Sequence, residues 1–259
     1  VNHFSKYLIA ALTLPLLLAP GAFAAEQIGK ALAITVTVSG DSGILKASSP
    51  IHRDERIRAS NSGQGQFEFR DGTKLAVGPN SSLVLDRSVF AGDSTFQSLT
   101  LKATRGTFRW VSGNSKSSAY KVNTPFGTLG VRGTVVDVYV GSSAAAVVIL
   151  EGQATFCGND GTCKRLERGC DIVRANRKGL MDVESDPKTA VSGVRNEVSF
   201  PFLMGTRKLS RPFQVGGGRC GLSASVRALD KKNGGDGGTG GGVKGTEGGE
   251  PGPDNSSID

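Results

Sequence analysis

Between Ile34 and Arg174 apolar and polar side chains alternate with a period of two. Gln66-Phe67-Glu68-Phe69-Arg70 alternates cleanly, as do Thr107-Phe108-Arg109-Trp110, Tyr120-Lys121-Val122-Asn123 and Val136-Asp137-Val138-Tyr139-Val140. A strand sends successive side chains to opposite faces, whereas a helix needs apolar residues three and four apart, so these runs require strands. The segment Ala144 to Leu150 is apolar throughout, which suits a strand covered on both faces. Turn-forming groups recur every eight to twelve residues, at Asp71-Gly72, Gly78-Pro79-Asn80, Ala91-Gly92-Asp93, Arg105-Gly106, Ser112-Gly113-Asn114, Pro125-Phe126-Gly127, Gly141-Ser142 and Glu151-Gly152. The pattern predicts an all-β domain: a sandwich, a barrel or a solenoid-like roll. One short helix is expected near the C-terminal part, over Pro187 to Glu197, with Asp186 as N-cap and Gly193 as its weak point.

The two ends of the chain read differently from this body. Residues 1–25 hold a short basic start, an apolar run from Leu8 to Ala19 and the small-residue site Ala22 to Ala24, the layout of a secretory signal peptide. Cleavage after Ala24 or Ala25 is expected, giving a periplasmic or secreted chain that does not span a membrane once processed. The retained-anchor alternative has an apolar stretch short of the roughly 20 residues a spanning helix needs. Residues 230–259 contain eleven glycines, three lysines and six carboxylates, and Val243 and Ile258 are the sole apolar side chains. Such a segment buries too little apolar surface to offset its ordering entropy and reads as a disordered acidic tail. Residues 26–229 then carry 27 basic and 17 acidic side chains, so the body is more basic than the whole-chain charge of +8 suggests. The expected organisation is a signal peptide over 1–25, a β domain over 26–180, a C-terminal extension over 181–229 packed on that domain, and the tail.

An exported chain meets an oxidising compartment, and the four cysteines Cys157, Cys163, Cys170 and Cys220 are even in number. Cys157 and Cys163 bracket the turn-rich Gly158-Asn159-Asp160-Gly161-Thr162, which favours pairing them with each other and leaves Cys170 for Cys220, one of three possible connectivities. A four-cysteine zinc site is the rival, although the spacing lacks two close Cys-x-x-Cys pairs.

Three stretches are more specific than their periodicity. Phe67-Glu68-Phe69-Arg70-Asp71-Gly72-Thr73 continues through Lys74 to Val77 into Gly78-Pro79-Asn80-Ser81; it reads as a hairpin turning at Asp71-Gly72, followed by a second turn at Pro79-Asn80. Lys121-Val122-Asn123-Thr124-Pro125-Phe126-Gly127 continues to Val131-Arg132-Gly133-Thr134, and Val147 to Ala154 contains Leu150-Glu151-Gly152. Taken in this order, the set resembles the FecR domain family, over about Ile44 to Arg174. The resemblance implies a roll-like, β-sandwich or β-helical domain of the bacterial envelope that contacts other proteins. Well-known members of that family add a cytoplasmic anti-sigma segment and a membrane helix; here a signal peptide is expected in their place, which leaves the link to iron signalling open.

The candidate binding and motif residues are Asp71, Gly72, Asn80, Thr124, Pro125, Arg132, Gly133 and Thr134. An arginine beside a glycine can present a fork to a carboxylate or phosphate. The plainer reading makes Gly133 a bulge and pairs Arg132 with an internal acid. Asp137, set among valines, is expected on the solvated face of its strand unless burial raises its pKa. His52 is the one histidine left after processing, no nucleophile elbow is present, and Glu151 and Asp71, the carboxylates that could be nominated for acid and base work, each lie in a turn, so the chain reads as no enzyme. No cofactor or metal is expected. Export also argues against nucleic acid as the partner of the basic body. The expected partner is an envelope protein or an anionic envelope polymer, and the alternative is a glycan, cell-wall or small-ligand site in which Trp110, Tyr120 and Tyr139 stack on a sugar ring.

Overall fold

The structure, a computed structural model, describes residues 25–216 and 218–224. The expected signal peptide, save Ala25, the end of the extension and the acidic tail lie outside the described residues.

The chain forms strands β1 (Gln27–Thr35), β2 (Val38–Gly40), β3 (Gly43–Ile44), β4 (Pro50–His52), β5 (Arg56–Ala59), β6 (Gln64–Phe69), β7 (Lys74–Val77), β8 (Ser82–Phe90) and β9 (Phe96–Val111). It continues with β10 (Tyr120–Thr124), β11 (Gly127–Val140), β12 (Ala144–Gly158), β13 (Cys163–Leu166), β14 (Asp171–Asn176), β15 (Gly179–Leu180) and β16 (Glu184–Ser185). All sixteen join one sheet, in which β10 runs parallel to β9 and its other pairings are antiparallel. The all-β expectation therefore holds.

Three long strands, β9, β11 and β12, shape the sheet because each changes neighbours part-way along. The first half of β9 pairs with β8 and β10, and its second half pairs with β7 and β11. Likewise β11 pairs with β10 up to Gly130 and with β9 from Val135, closing β9, β10 and β11 into a circuit. β12 follows β11 throughout while exchanging β14 for β13 on its other edge. The exchanges occur beside Gly106, Gly133 and Gly152, with φ of 103°, 55° and 80°. At Gly152 a Cβ would collide with the Gly133 carbonyl oxygen of the neighbouring strand. Two of the turn signals, Arg105-Gly106 and Glu151-Gly152, thus correct to bends inside single strands. A positive φ can tighten a hairpin, but where the ladder resumes beyond it the same torsion makes a bulge and a change of direction.

The main core lies between the rolled parts of the sheet and includes Phe67, Leu75, Leu101, Trp110, Tyr120, Val136, Val147 and Phe156. Alternate residues of β12 enter it from one face: Ala145, Val147 and Ile149. Ala146 and Val148 point to the other face and are covered by Ala190, Val191, Phe200, Met204 and Leu222. The unbroken apolar run is explained by this covering on both sides. A smaller cluster places Phe202, Leu209 and Phe213 over Ala76 of β7.

The covering segment is nearly devoid of helix, and the expected helix over Pro187 to Glu197 is a further correction. One helical turn, α1 (Asn196–Ser199), forms instead. Asp186 has φ of 51° rather than the extended backbone of an N-cap, and Gly193 is also left-handed at 75°. Asn196 then holds the irregular backbone in place: its side chain accepts from the Ala190 N–H and donates to the Lys188 and Ser223 carbonyls.

Both disulfides have the expected partners. Cys157 and Cys163 face each other in register across β12 and β13 with Cα atoms 4.0 Å apart. Cys170 and Cys220, 4.9 Å apart at Cα, tether the covering segment to the turn before β14. With all four sulfurs in disulfides, the zinc alternative falls.

Candidate functional site

The candidate residues separate into a buried hub, a locked bulge and two basic clefts. Asp71 is 1% exposed and belongs to the hub. Its Oδ1 accepts from the Thr73 N–H at 2.9 Å, and its Oδ2 accepts from Ser115 Oγ at 2.7 Å and Tyr120 OH at 2.6 Å. The Tyr120 oxygen accepts in turn from the Ser115 N–H and from Thr73 Oγ1. Burial and the hydrogen bond to Asp71 push the Tyr120 phenol above its ordinary value. Gly72 supplies the left-handed residue of the turn, with φ of 82°. The network joins the β6–β7 hairpin to the loop after β9, so Asp71 and Gly72 hold structure there.

Thr134 is locked similarly. Its hydroxyl donates to the Gln153 carbonyl at 2.6 Å and accepts from the Arg132 N–H at 2.8 Å. Ser112 Oγ accepts from the Thr134 N–H and from Trp110 Nε1. Gly133 forms the bulge that the sequence suggested. Arg132 departs from the expected pairing: its side chain is exposed and meets no acid among the described residues. It stands at a groove of about 760 Å³ together with Lys121 and Arg165.

Asp137 lies directly opposite Arg109 in the β9–β11 ladder. The pair is bidentate, with Nε to Oδ1 at 2.6 Å and Nη2 to Oδ2 at 2.7 Å, and Asp137 is 1% exposed. The expectation of a solvated aspartate is therefore overturned, because the covering segment closes this face. Arg109 Nη1 donates to the Phe213 carbonyl at 3.4 Å, and the guanidinium lies 5.9 Å from the centre of the Phe202 ring. Burial pushes the Asp137 carboxyl up from its ordinary value, and the Arg109 charge and hydrogen bonds oppose that shift.

The other cleft, of about 830 Å³, collects the remaining candidates at the end of the roll. The Pro79-Asn80 turn, Pro125-Phe126 and Tyr139 line it, with Arg105, Arg177, Arg195 and Arg207 around it and Glu197 as the one acid among the lining residues. Asn80 takes the turn's left-handed position at φ of 55°, and its N–H donates to the Ser60 carbonyl. Thr124 Oγ1 donates to the Gly127 carbonyl and accepts from the Phe126 N–H, which fixes the Pro125 turn. Burial pushes the Tyr139 phenol above its ordinary value. Sequence reasoning missed this arginine set: its members come from β9, the turn after β14 and the covering segment, and no local pattern connects them. The sugar-stacking set does not assemble, since Trp110 and Tyr120 are 1% and 2% exposed and pack edge to face in the core. Among the described residues no three His, Cys, Asp or Glu side chains are grouped to hold a metal ion.

Residues 55–155 match the family model described as FecR protein. Two crystal structures of a proposed anti-sigma factor from Parabacteroides distasonis ATCC 8503 are similar to this chain at 15% identity, each alignment covering 56% of this chain and 74% of the other, with TM-scores of 0.44 and 0.42. None of the curated proteins matches the chain.

Proposed function

Since residues 55–155 form a FecR domain, we propose that the chain is a non-enzymatic interaction and sensor module of the bacterial envelope, acting outside the cytoplasmic membrane. The observation that carries this reading is the arginine-bearing cleft. It gathers the Pro79-Asn80 and Pro125 turns of two separate family motifs around one opening, while other motif residues, Asp71, Gly72 and Thr134, build the frame behind it. Turns held by a rigid sheet are a common place for recognition. Two disulfides support an oxidising compartment. The glycan alternative loses two of its three stacking side chains to the core.

In-cell photo-cross-linking tests the reading, with a benzophenone amino acid placed singly at Asn80, Val198 and Ile44, all exposed. The expected result is recovery of one envelope protein, the same in repeat experiments, from an exported chain released with the periplasmic fraction. Retention in the cytoplasm, or no specific adduct at any of the three positions, sinks it.

A further inference from the structure

At the cleft the side chains of Arg105, Arg177 and Arg195 are exposed and make no hydrogen bond or ion pair among the described residues, whereas Arg207 donates to the Ser62 carbonyl at 3.3 Å. Elsewhere on this surface arginines do find acids: Arg70 pairs with Glu26 and Arg174 with Glu184. The cleft therefore gathers three arginine side chains that no described acid pairs, with Glu197 as the one acid among the lining residues. Between the arginines the accessible apolar wall is formed by Pro79, half-buried, and Val198, 47% exposed, with Phe126 and Val140 buried beneath it. Thr107, a lining residue that is itself 4% exposed, has a hydroxyl with no hydrogen-bond partner among the described residues. Such an orphan is unusual in a folded interior.

We propose that this cleft binds an extended acidic peptide segment of a partner protein, one that alternates carboxylate and apolar side chains. The proposal rests on the interaction reading above and adds its site and chemistry. Guanidinium forks match carboxylates in shape as well as charge. An extended peptide sends alternate side chains to opposite sides, so one side reaches the arginines while the other lies on the wall formed by Pro79 and Val198. A phosphate polymer would satisfy the arginines and leave that wall bare, which is why the peptide is preferred over the anionic polymer.

The test uses the full chain and three labelled octapeptides, of alternating glutamate and leucine, glutamate and glycine, and lysine and leucine, together with inorganic polyphosphate. The glutamate–leucine peptide binds, at least tenfold more tightly than the glutamate–glycine peptide, and the lysine–leucine peptide does not. The paired substitutions Arg177→Ala and Arg195→Ala weaken the binding at least tenfold and leave the melting temperature in place; Val198→Asp weakens it independently. Absence of binding overturns the proposal. So does equal binding of the glutamate–glycine peptide or of polyphosphate, since charge alone would then account for it. Cross-linking separates this failure from that of the wider reading: an envelope adduct from Ile44, with none from Asn80 or Val198, keeps the interaction module and removes the cleft as its site.

Discussion

Two regions of this molecule use arginine in opposite ways. Under the covering segment, Arg109 is 4% exposed, is bound bidentately by Asp137 and is capped by the Phe213 carbonyl. At the cleft, Arg105, Arg177 and Arg195 are exposed and have no such partners among the described residues. A guanidinium taken out of water must be paired, because an unpaired buried charge is among the costliest defects a fold can carry. One left in water needs no partner and keeps its charge for another molecule. Burial, rather than residue type, thus separates the arginine that holds the fold from those that can serve recognition.

Breaking the buried pair gives the largest effect. Asp137→Ala strands the Arg109 charge and is expected to lower the unfolding free energy by about 3–5 kcal/mol, read from urea denaturation. A change below one kilocalorie would show that Arg109 reaches water and would erase the contrast. Next comes the tether of the covering segment: replacing Cys170 and Cys220 together by serine frees a segment closed over a separation of 50 residues. The expected loss is about 2–4 kcal/mol, and faster exchange of the Arg109 Nε–H would show that the cover had loosened.

The bend of the long strands gives a somewhat smaller effect. Gly152→Ala places a Cβ against the Gly133 carbonyl at φ of 80° and is expected to cost about 1–3 kcal/mol, measured as a shift in the urea midpoint. A neutral result would mean that β11 and β12 can part without loss.

Asp171 sharpens the comparison through pH. Burial opposes its charged form, but the Ser185 hydroxyl, the Arg168 and Glu167 N–H groups and the Arg168 charge outweigh burial and hold the carboxyl below its ordinary value. A carboxylate with a lowered folded-state pKa stabilises fully above the ordinary carboxylate range, and that contribution disappears as pH falls through the folded-state value. Asp171→Asn should therefore lower stability at neutral pH, with the gap to the parent chain closing in acid; a pH-independent gap would contradict the assignment. At the small end, Arg177→Ala should change stability by less than about 0.5 kcal/mol, because its side chain is exposed and has no partner among the described residues.

The strand alternation was readable because it is local. Phe67 and Phe69 are buried as their spacing required, with Glu68 between them partly exposed. The double-faced burial of β12 was readable too, since a seven-residue apolar run has no polar face to show water. Gly106 and Gly152 misled for an equally physical reason: a glycine signals a change of chain direction, but whether the chain turns back or continues depends on which strands wait beyond it. The 187–195 segment misled because Asp186 and Pro187 favour a helix start, while Cys170–Cys220 and the Asn196 hydrogen bonds hold an irregular cover in place. Of the candidate site, Asn80 and Pro125 reach the cleft, Arg132 stands at a separate groove, and Asp71 turns inward.

By itself the sequence determined the strand content, the exchange of polar and apolar faces, the favoured cysteine pairing and the family motif order, all properties written in neighbouring residues. The tertiary structure alone decided which arginine is neutralised and which remain available. Asp137 is 28 residues from Arg109, and the Phe213 carbonyl is 104 residues away. Those distances along the chain are closed by folding, and only then does burial distinguish one guanidinium from another.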